Sequence, residues 1–343
     1  MTRLVVLADD LTGALDASAP FAMHGLSTAV ALAPAGLTEA LASGAEIVGV
    51  STNSREIDPP AATAAVQAAL AELPRGLPIF KKVDSRLKGN IPAELDAITY
   101  TSALVIPAIP AFGRWLRDGH LGGFGLAEPI SVASRLGAHA GKATIPDAAT
   151  QADIAAALAG RGHDLLVGAR GLAEALAQSW STGNEPTLAG AAPAATICVI
   201  GSTDPITLAQ VEALRACRPG LVYLAAPLGV APAQLPAAAP LTLLQATPGT
   251  EPAEPTRVAA NLAASLARLA PAPGTRLVLS GGATAHAILE AMGIGVLFLD
   301  GEALPGLPLA RGGGFTIITK SGGFGDSDTL LRLLASPVAG QGE

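Results

Sequence analysis

Aromatic residues make up only 3% of this sequence, too few for the stacking platforms that bind single-stranded nucleic acid. Charge is scarce as well, at 14%, and the formal net charge of −7 has the wrong sign for a general nucleic-acid partner. The pI of about 5.3 says the same. Two cysteines, Cys198 and Cys217, sit in apolar stretches with no pairing pattern, so they are expected to be reduced core thiols of a cytoplasmic protein. No apolar run reaches about 18 residues without Pro, Gly or charge, so no membrane partner is expected. The apolar run Leu4–Ala8 meets Asp9 and Asp10 too early for a signal peptide. The five histidines are scattered without ligand spacing, which gives no zinc site. No nucleophile elbow and no dinucleotide fingerprint occur. The nearest approach to a P-loop, Gly137–Lys142, is one residue short and is followed by Ala143 in place of a hydroxyl.

What remains is a chain of 343 residues, half of them apolar, which predicts two domains. Strand-like runs at Leu4–Ala8, 28–32, Ile47–Ser51, 78–83 and Ala103–Ile106 alternate with helical patterns. The pattern restarts at Thr196–Ile200 and continues through 221–224, 241–245, 276–279, 295–299 and 315–318. Strict alternation predicts an α/β fold, two doubly wound domains with mainly parallel sheets; if each domain holds one reactant, an active-site cleft is expected between them. Residues 181–195 have linker composition, so the domains are expected at 1–185 and 195–337. Residues 107–142, Gly-rich and carrying Arg114, Arg117 and His120, are expected to form an irregular functional loop. Thr150 with Asp153, and Asp204 with Pro205, are expected to start helices.

One stretch stands apart. Five of the ten residues from Lys81 to Asn90 are charged, four cations and one acid, in a chain otherwise poor in charge. They follow a strand and precede a helix, where Asn90 is expected to cap and Glu94 to complement the helix dipole. A strand-to-helix turn at the carboxyl end of a parallel sheet is where ligands bind. The predicted ligand is a small carboxylate, a phosphate, or both. Adjacent strand residues face opposite ways, so Lys82 is expected in the site and Lys81 to be its solvated neighbour.

Four turns share the form strand, small polar residues with glycine, helix: 9–13, 201–204, 280–284 and 320–325. Bare amides at a helix start suit phosphate, and the three in the second half, one with Lys320, suggest a polyphosphate. Asp9 and Asp10 point to opposite sides, so one is expected to cap the following helix and the other to face the ligand. There it accepts a hydroxyl proton or holds Mg²⁺.

Together the motifs Asp9-Asp10-Leu11-Thr12-Gly13-Ala14, Ser51-Thr52-Asn53-Ser54-Arg55, Lys82-Val83-Asp84-Ser85 with Gly89-Asn90, and Pro107-Ala108 with Gly113-Arg114 resemble one family, the four-carbon acid sugar kinases. Gly201-Ser202, Ser280-Gly281-Gly282 with Thr284-Ala285, and Lys320-Ser321-Gly322 with Phe324-Gly325 complete the resemblance, in order and over nearly the whole chain. It implies an N-terminal domain for the sugar acid and a C-terminal domain for ATP. The reaction implied is phosphorylation of the terminal hydroxyl of a tetronate or oxo-tetronate, with Mg²⁺ and no assigned metal ligands. Asp10 is expected as base or metal anchor, with Asp84 the runner-up and Lys82 beside them. The acid is expected to meet Asp9, Arg55, Ser85, Arg86, Lys88, Gly89, Asn90 and Arg114. ATP is expected to meet Gly201, Ser202, Ser280, Gly281, Gly282, Ala283 and Thr284 on two turns. Lys320, Ser321, Gly322, Gly323 and Gly325 supply the third.

Arg86 and Lys88 stand where the family usually has Thr and Arg, Ala283 replaces its usual acid, and the stretch 119–146 lacks much of its usual pattern. These departures point to a changed substrate. Ala283 also motivates a rival reading, a sugar-acid binding or sensing protein without turnover. An oligomer is compatible with either reading.

Overall fold

The computed structural model describes residues 1–160, 162–181, 183 and 193–335. The chain divides into two compact units, Met1–Pro186 and Thr187–Glu343. Most of the expected linker, and residues 336–337 of the expected second domain, lie outside the described residues.

In the first unit the strands are β1 (Leu4–Ala8), β2 (Thr28–Ala31), β3 (Ile47–Ser51), β4 (Ile79–Lys82), β5 (Ala103–Ile106), β6 (Arg114–Arg117), β7 (His120–Gly123), β8 (Ile130–Ser131), β9 (Ala143–Thr144) and β10 (Leu165–Gly168). The helices are α1 (Leu11–Met23), α2 (Leu37–Ala42), α3 (Pro59–Ala71), α4 (Ile91–Asp96), α5 (Val132–Leu136), α6 (Gln151–Ala159) and α7 (Arg170–Ser179). The main sheet runs β2-β3-β1-β4-β10-β5-β9 with every pairing parallel. Leu4, Val5, Val6, Leu7 and Ala8 are all buried, as a strand covered on both faces requires. The chain leaves β1 toward β2 and β3 on one side and then crosses to β4 on the other. The topological switch point therefore lies between the carboxyl ends of β1 and β4.

The second unit holds β11 (Thr196–Ile200), β12 (Val222–Pro227), β13 (Leu241–Thr247), β14 (Arg276–Ser280), β15 (Val296–Leu304), β16 (Leu307–Gly312) and β17 (Phe315–Lys320). Its helices are α8 (Pro205–Cys217), α9 (Pro255–Leu269), α10 (Gly282–Ala291) and α11 (Thr329–Ala335). The order β12-β13-β11-β14-β17-β16-β15 repeats the first unit's arrangement around β11, with the switch between β11 and β14. The strand β16 runs antiparallel to both β15 and β17. Cys198, Ile200, Val211, Leu214, Leu243 and Val278 lie in one core cluster.

The caps expected at Thr150 and Asp204 form where the sequence places them, and the one expected at Asn90 does not. Asp204 accepts from the Ile206 amide at 2.9 Å, and Thr150 with Asp153 closes a reciprocal capping box. Three other expectations change. Residues 107–142 are not irregular: β6, β7 and β8 form a small antiparallel sheet. Its hairpin turns at Asp118-Gly119, both at positive φ, the backbone a primed two-residue turn needs. The strand β16 was not anticipated; it pairs with β15 through a turn at Pro305-Gly306. Cys217 is exposed at the end of α8, whereas Cys198 is buried and its thiol is pushed up to about 12 by that burial.

Candidate active site

Three loops meet at the switch point of the first unit, following β1, β3 and β4. The parallel register sets Ala8 beside both Ser51 and Lys82, so Asp9, Thr52 and Val83 leave the sheet side by side. Arg55 ties the loops together. Its Nε and Nη2 donate to the two oxygens of Asp9 at 2.7 and 2.8 Å, and its Nη1 donates to Asp10 at 2.7 Å. The same Nη1 lies 3.7 Å from Asp84, beyond hydrogen-bond reach. Burial alone would push the Asp9 carboxyl up. The hydrogen bonds and charge of Arg55, with Lys81 and Lys82 behind, hold it below the usual carboxylate range. Arg55 in turn stays charged, raised above its usual value by Asp9, Asp10 and Asp84 against the pull of burial.

The paired acids take different roles. Asp10 caps α1: one oxygen accepts from the Gly13 amide, the other from Thr12 Oγ1 and from Arg55. Asp9 is buried and fully occupied by Arg55. Asp84 is less engaged. Its Oδ1 accepts from the amides of Arg86 and Lys88, an arrangement that folds the turn 84–88, and its Oδ2 accepts no hydrogen bond among the described residues. Lys82 is buried, donates to Val83 O at 2.9 Å, and lies against Gly13.

Lys81 is not solvated. It is fully buried and pairs with Glu94 at 2.8 Å, and Glu94 also accepts from Ser54, which bonds Thr52. The physical reason is that a parallel strand is covered on both faces, so alternation does not deliver any side chain to water. Asn90 does not cap α4; its amide donates to Ser54 O and Ile57 O and pins the loop after β3. Ser85 and Arg86 are half-buried, while Lys88 and Gly89 are exposed.

Arg114 enters from β6. It is buried, donates through Nε to Phe124 O at 3.0 Å, and makes no ion pair within 4 Å among the described residues. The point where a Cβ on Gly125 would sit is 3.2 Å from an Arg86 nitrogen and 3.3 Å from an Arg114 nitrogen. Two guanidiniums thus converge on one spot. Burial and the charge of Arg86 together lower the pKa of Arg114. Like charges brought together in a desolvated position mark a place for an anion.

At the second unit's switch point the material is backbone. The turns 201–204, 280–284 and 320–325 converge. A Cβ on Gly201 would stand 1.9 Å from Thr284 Oγ1, and one on Gly322 would stand 2.3 Å from Ser202 Oγ, so only glycine lets these loops meet. Gly281 precedes α10 at φ +108. Ser280 Oγ is buried with no hydrogen-bond partner among the described residues, and Ala283 is exposed on the first turn of α10. A helix start of bare amides, a buried hydroxyl without a partner and close-packed glycine loops suit phosphate oxygens. Lys320 does not reach out to that space; its Nζ donates to Thr207 Oγ1 and to the carbonyls of Ser321 and Gly322. Thr207 and Gln210 on α8, and Phe124 with Gly125, were not singled out from sequence; Thr12 was read only as part of a motif and Glu94 only as complementing the dipole of α4. All belong to elements whose neighbours are fixed only by the fold.

No three His, Cys, Asp or Glu side chains among the described residues converge to hold a metal. Mg²⁺ on a nucleotide needs only one or two carboxylates besides the phosphates. Asp204, which uses one oxygen to cap α8 and lies beside Gly322, fits that requirement.

Charged side chains at one switch point and phosphate-ready backbone at the other define a two-domain α/β phosphotransferase. Residues 4–129 match a family described as a sugar-binding N-terminal domain, and residues 226–330 match one described as a nucleotide-binding C-terminal domain. A D-threonate kinase of Cupriavidus necator is 30% identical over 95% of this chain and 96% of its own. A D-threonate kinase of Bordetella bronchiseptica is 29% identical over 95% of each. The fold matches that of a Salmonella typhimurium LT2 protein with a TM-score of 0.70 at 20% identity, over 97% of this chain and 98% of that one. The chain belongs to the four-carbon acid sugar kinase family.

Proposed function

We propose that this kinase transfers the γ-phosphoryl group of ATP to the terminal hydroxyl of a four-carbon sugar acid, giving the 4-phosphate. The observation that carries this reading is the pairing of a cationic, carboxylate-lined site in the sugar-binding region with a glycine-built phosphate site in the nucleotide-binding region. Arg86 and Arg114 take the acid's carboxylate, since their guanidiniums converge and, with Asp84 and Asp16 only at longer range, make no ion pair within 4 Å among the described residues. Arg55, already bonded to Asp9 and Asp10, holds the site's shape and with Lys82 offsets the charge that develops on the transferred group. Ser85, Lys88, Gly89 and Asn90 border the acid.

Asp84 is the base. Its Oδ2 accepts the hydroxyl proton as the substrate oxygen forms its bond to phosphorus and the bond to the ADP oxygen breaks. Asp10, engaged on both oxygens as a helix cap, orients Arg55 instead. The nucleotide phosphates rest on the Gly201–Ser202 turn, the start of α10 from Ser280 to Thr284, and the amides of Gly322, Gly323 and Gly325. Asp204 would hold Mg²⁺, which supplies further neutralisation of phosphate charge when bound. The cytoplasm, where ATP is present, is the expected location. Among the described residues no helix is long and apolar enough to cross a membrane.

ADP release measured with D- and L-threonate, D- and L-erythronate and 3-oxo-tetronate tests the reaction class and names the acid. Asp84→Asn should lower kcat by roughly 10²-fold or more, the usual contribution of a positioned base. Asp10→Asn should cost far less. The reverse order would return the base to Asp10, and absence of ADP release with every acid would remove the proposed substrate class.

A further inference from the structure

Resting on the reading of 320–325 as a nucleotide loop, we propose that Lys320 is an internal strut. Together with Thr207 and Gln210 it turns the loop's amides toward the nucleotide and does not itself touch phosphate. The three hydrogens of the Lys320 ammonium match three acceptors, Thr207 Oγ1 at 2.8 Å and the carbonyls of Ser321 and Gly322 at 3.0 Å each. Thr207 donates to the Gly322 carbonyl as well. One turn along α8, Gln210 donates to the carbonyls of Phe324 at 2.9 Å and Asp326 at 2.8 Å. Lys320, Thr207 and Gln210 are all fully buried.

The consequence follows from the planar trans peptide. In each peptide unit the carbonyl of one residue and the amide of the next point in opposite directions. The carbonyls of Ser321, Gly322 and Phe324 are drawn inward by the strut. The amides in the same three planes belong to Gly322, Gly323 and Gly325, and these must point the other way. None of the three makes a hydrogen bond among the described residues. An array of outward amides is an anion-binding concavity. The positive charge beneath it reaches the phosphates through the oriented peptides. Burial also pulls the Lys320 pKa down to about 8, only partly offset by Asp204. Above that pH the neutral amine keeps two hydrogens for three acceptors, and the strut loosens.

Calorimetric titration of the full chain with ADP, and separately with the sugar acid, tests the assignment. Thr207→Val and Lys320→Met should each weaken ADP binding about tenfold, the effect of one lost hydrogen bond near a charge. The double variant should be little worse than the weaker single, and Thr207→Ser should bind as wild type. Acid affinity should not move in any of them. Wild-type ADP affinity should fall as pH rises through about 8, and this step should be absent from Lys320→Met. A merely structural lysine would leave the pH profile of ADP binding flat.

Full loss in Lys320→Met with no change in Thr207→Val, or additive losses in the double variant, would make Lys320 a direct phosphate ligand and overturn the strut. Normal ADP binding by both single variants would overturn it as well. Failure of the wild-type protein to bind ADP would instead remove the nucleotide reading on which it stands. If Lys320→Met does not fold, Thr207→Val and the wild-type pH profile decide the matter.

Discussion

The switch point after β1 and β4 and the switch point after β11 and β14 share one strand order, yet they are built from opposite materials. The first is lined by side chains: Asp9, Asp10, Arg55, Lys82, Asp84, Arg86 and Arg114. The second is lined by backbone at Gly201, Gly281, Gly282, Gly322 and Gly323, with its cation turned inward. A sugar acid is small and carries its hydroxyls and carboxylate at fixed angles, so it needs individually aimed donors and acceptors. A polyphosphate chain presents many equivalent oxygens, and a helix start with a few bare amides satisfies them without side-chain ordering. The fold supplies the same crevice twice, and the chemistry lies in what fills it.

The largest expected effect separates the two crevices outright. Gly282→Val places a branched side chain on the first residue of α10, where the proposed phosphate site needs close backbone approach. Nucleotide binding by calorimetry should be abolished while sugar-acid affinity stays within about twofold of wild type, since sites this distinct behave independently. A folded variant that still binds ATP normally would remove the phosphate site from α10, and joint loss of both affinities would mean that Gly282 serves packing alone.

Glu94→Gln tests the first crevice from beneath. It leaves Lys81 buried without its counter-charge and takes a charged acceptor from Ser54. Breaking a buried pair by removing one partner costs about 3–5 kcal/mol, read as a lowered urea midpoint. A comparable loss is not expected from Lys320→Met, whose lysine is bonded to neutral oxygens. Equal losses in the two variants would break the comparison.

The smallest effect is on acid stability. Asp9 titrates below its usual value in the folded protein, so its contribution is complete above the unfolded carboxylate pKa and is lost as pH falls through the folded one. Arg55→Met removes the principal group that lowers it and leaves burial opposed only by the charges of Lys81 and Lys82. The acid-unfolding midpoint of the variant should therefore lie higher than wild type, by about one to three pH units at most. An unchanged midpoint would show that Lys81 and Lys82 suffice to hold Asp9 ionised.

The α/β alternation, the positions of β1, β3, β5 and β11, the caps at Thr150 and Asp204, and the concentration of chemistry at strand-to-helix turns were legible from the residues alone. Each depends on local periodicity or on contacts within a few residues, which sequence order carries directly. The two hairpins were not read from the residues: 107–142 was expected to be irregular and β16 was not expected at all, although the turns fall at Asp118-Gly119 and Pro305-Gly306.

Tertiary structure decided which of two neighbouring charges did what. Lys81 and Lys82 are adjacent, and so are Asp9 and Asp10. Residue type and strand alternation do not say that Glu94 comes from α4 to meet Lys81, or that Arg55 comes from the loop after β3 to claim Asp9. Lys320 reads in sequence as a phosphate cation, and only the approach of α8 makes it an inward donor. A charged side chain's role is set by the partner that desolvates it, and that partner stands far away in the chain: 46 residues for Arg55 and Asp9, 113 for Lys320 and Thr207.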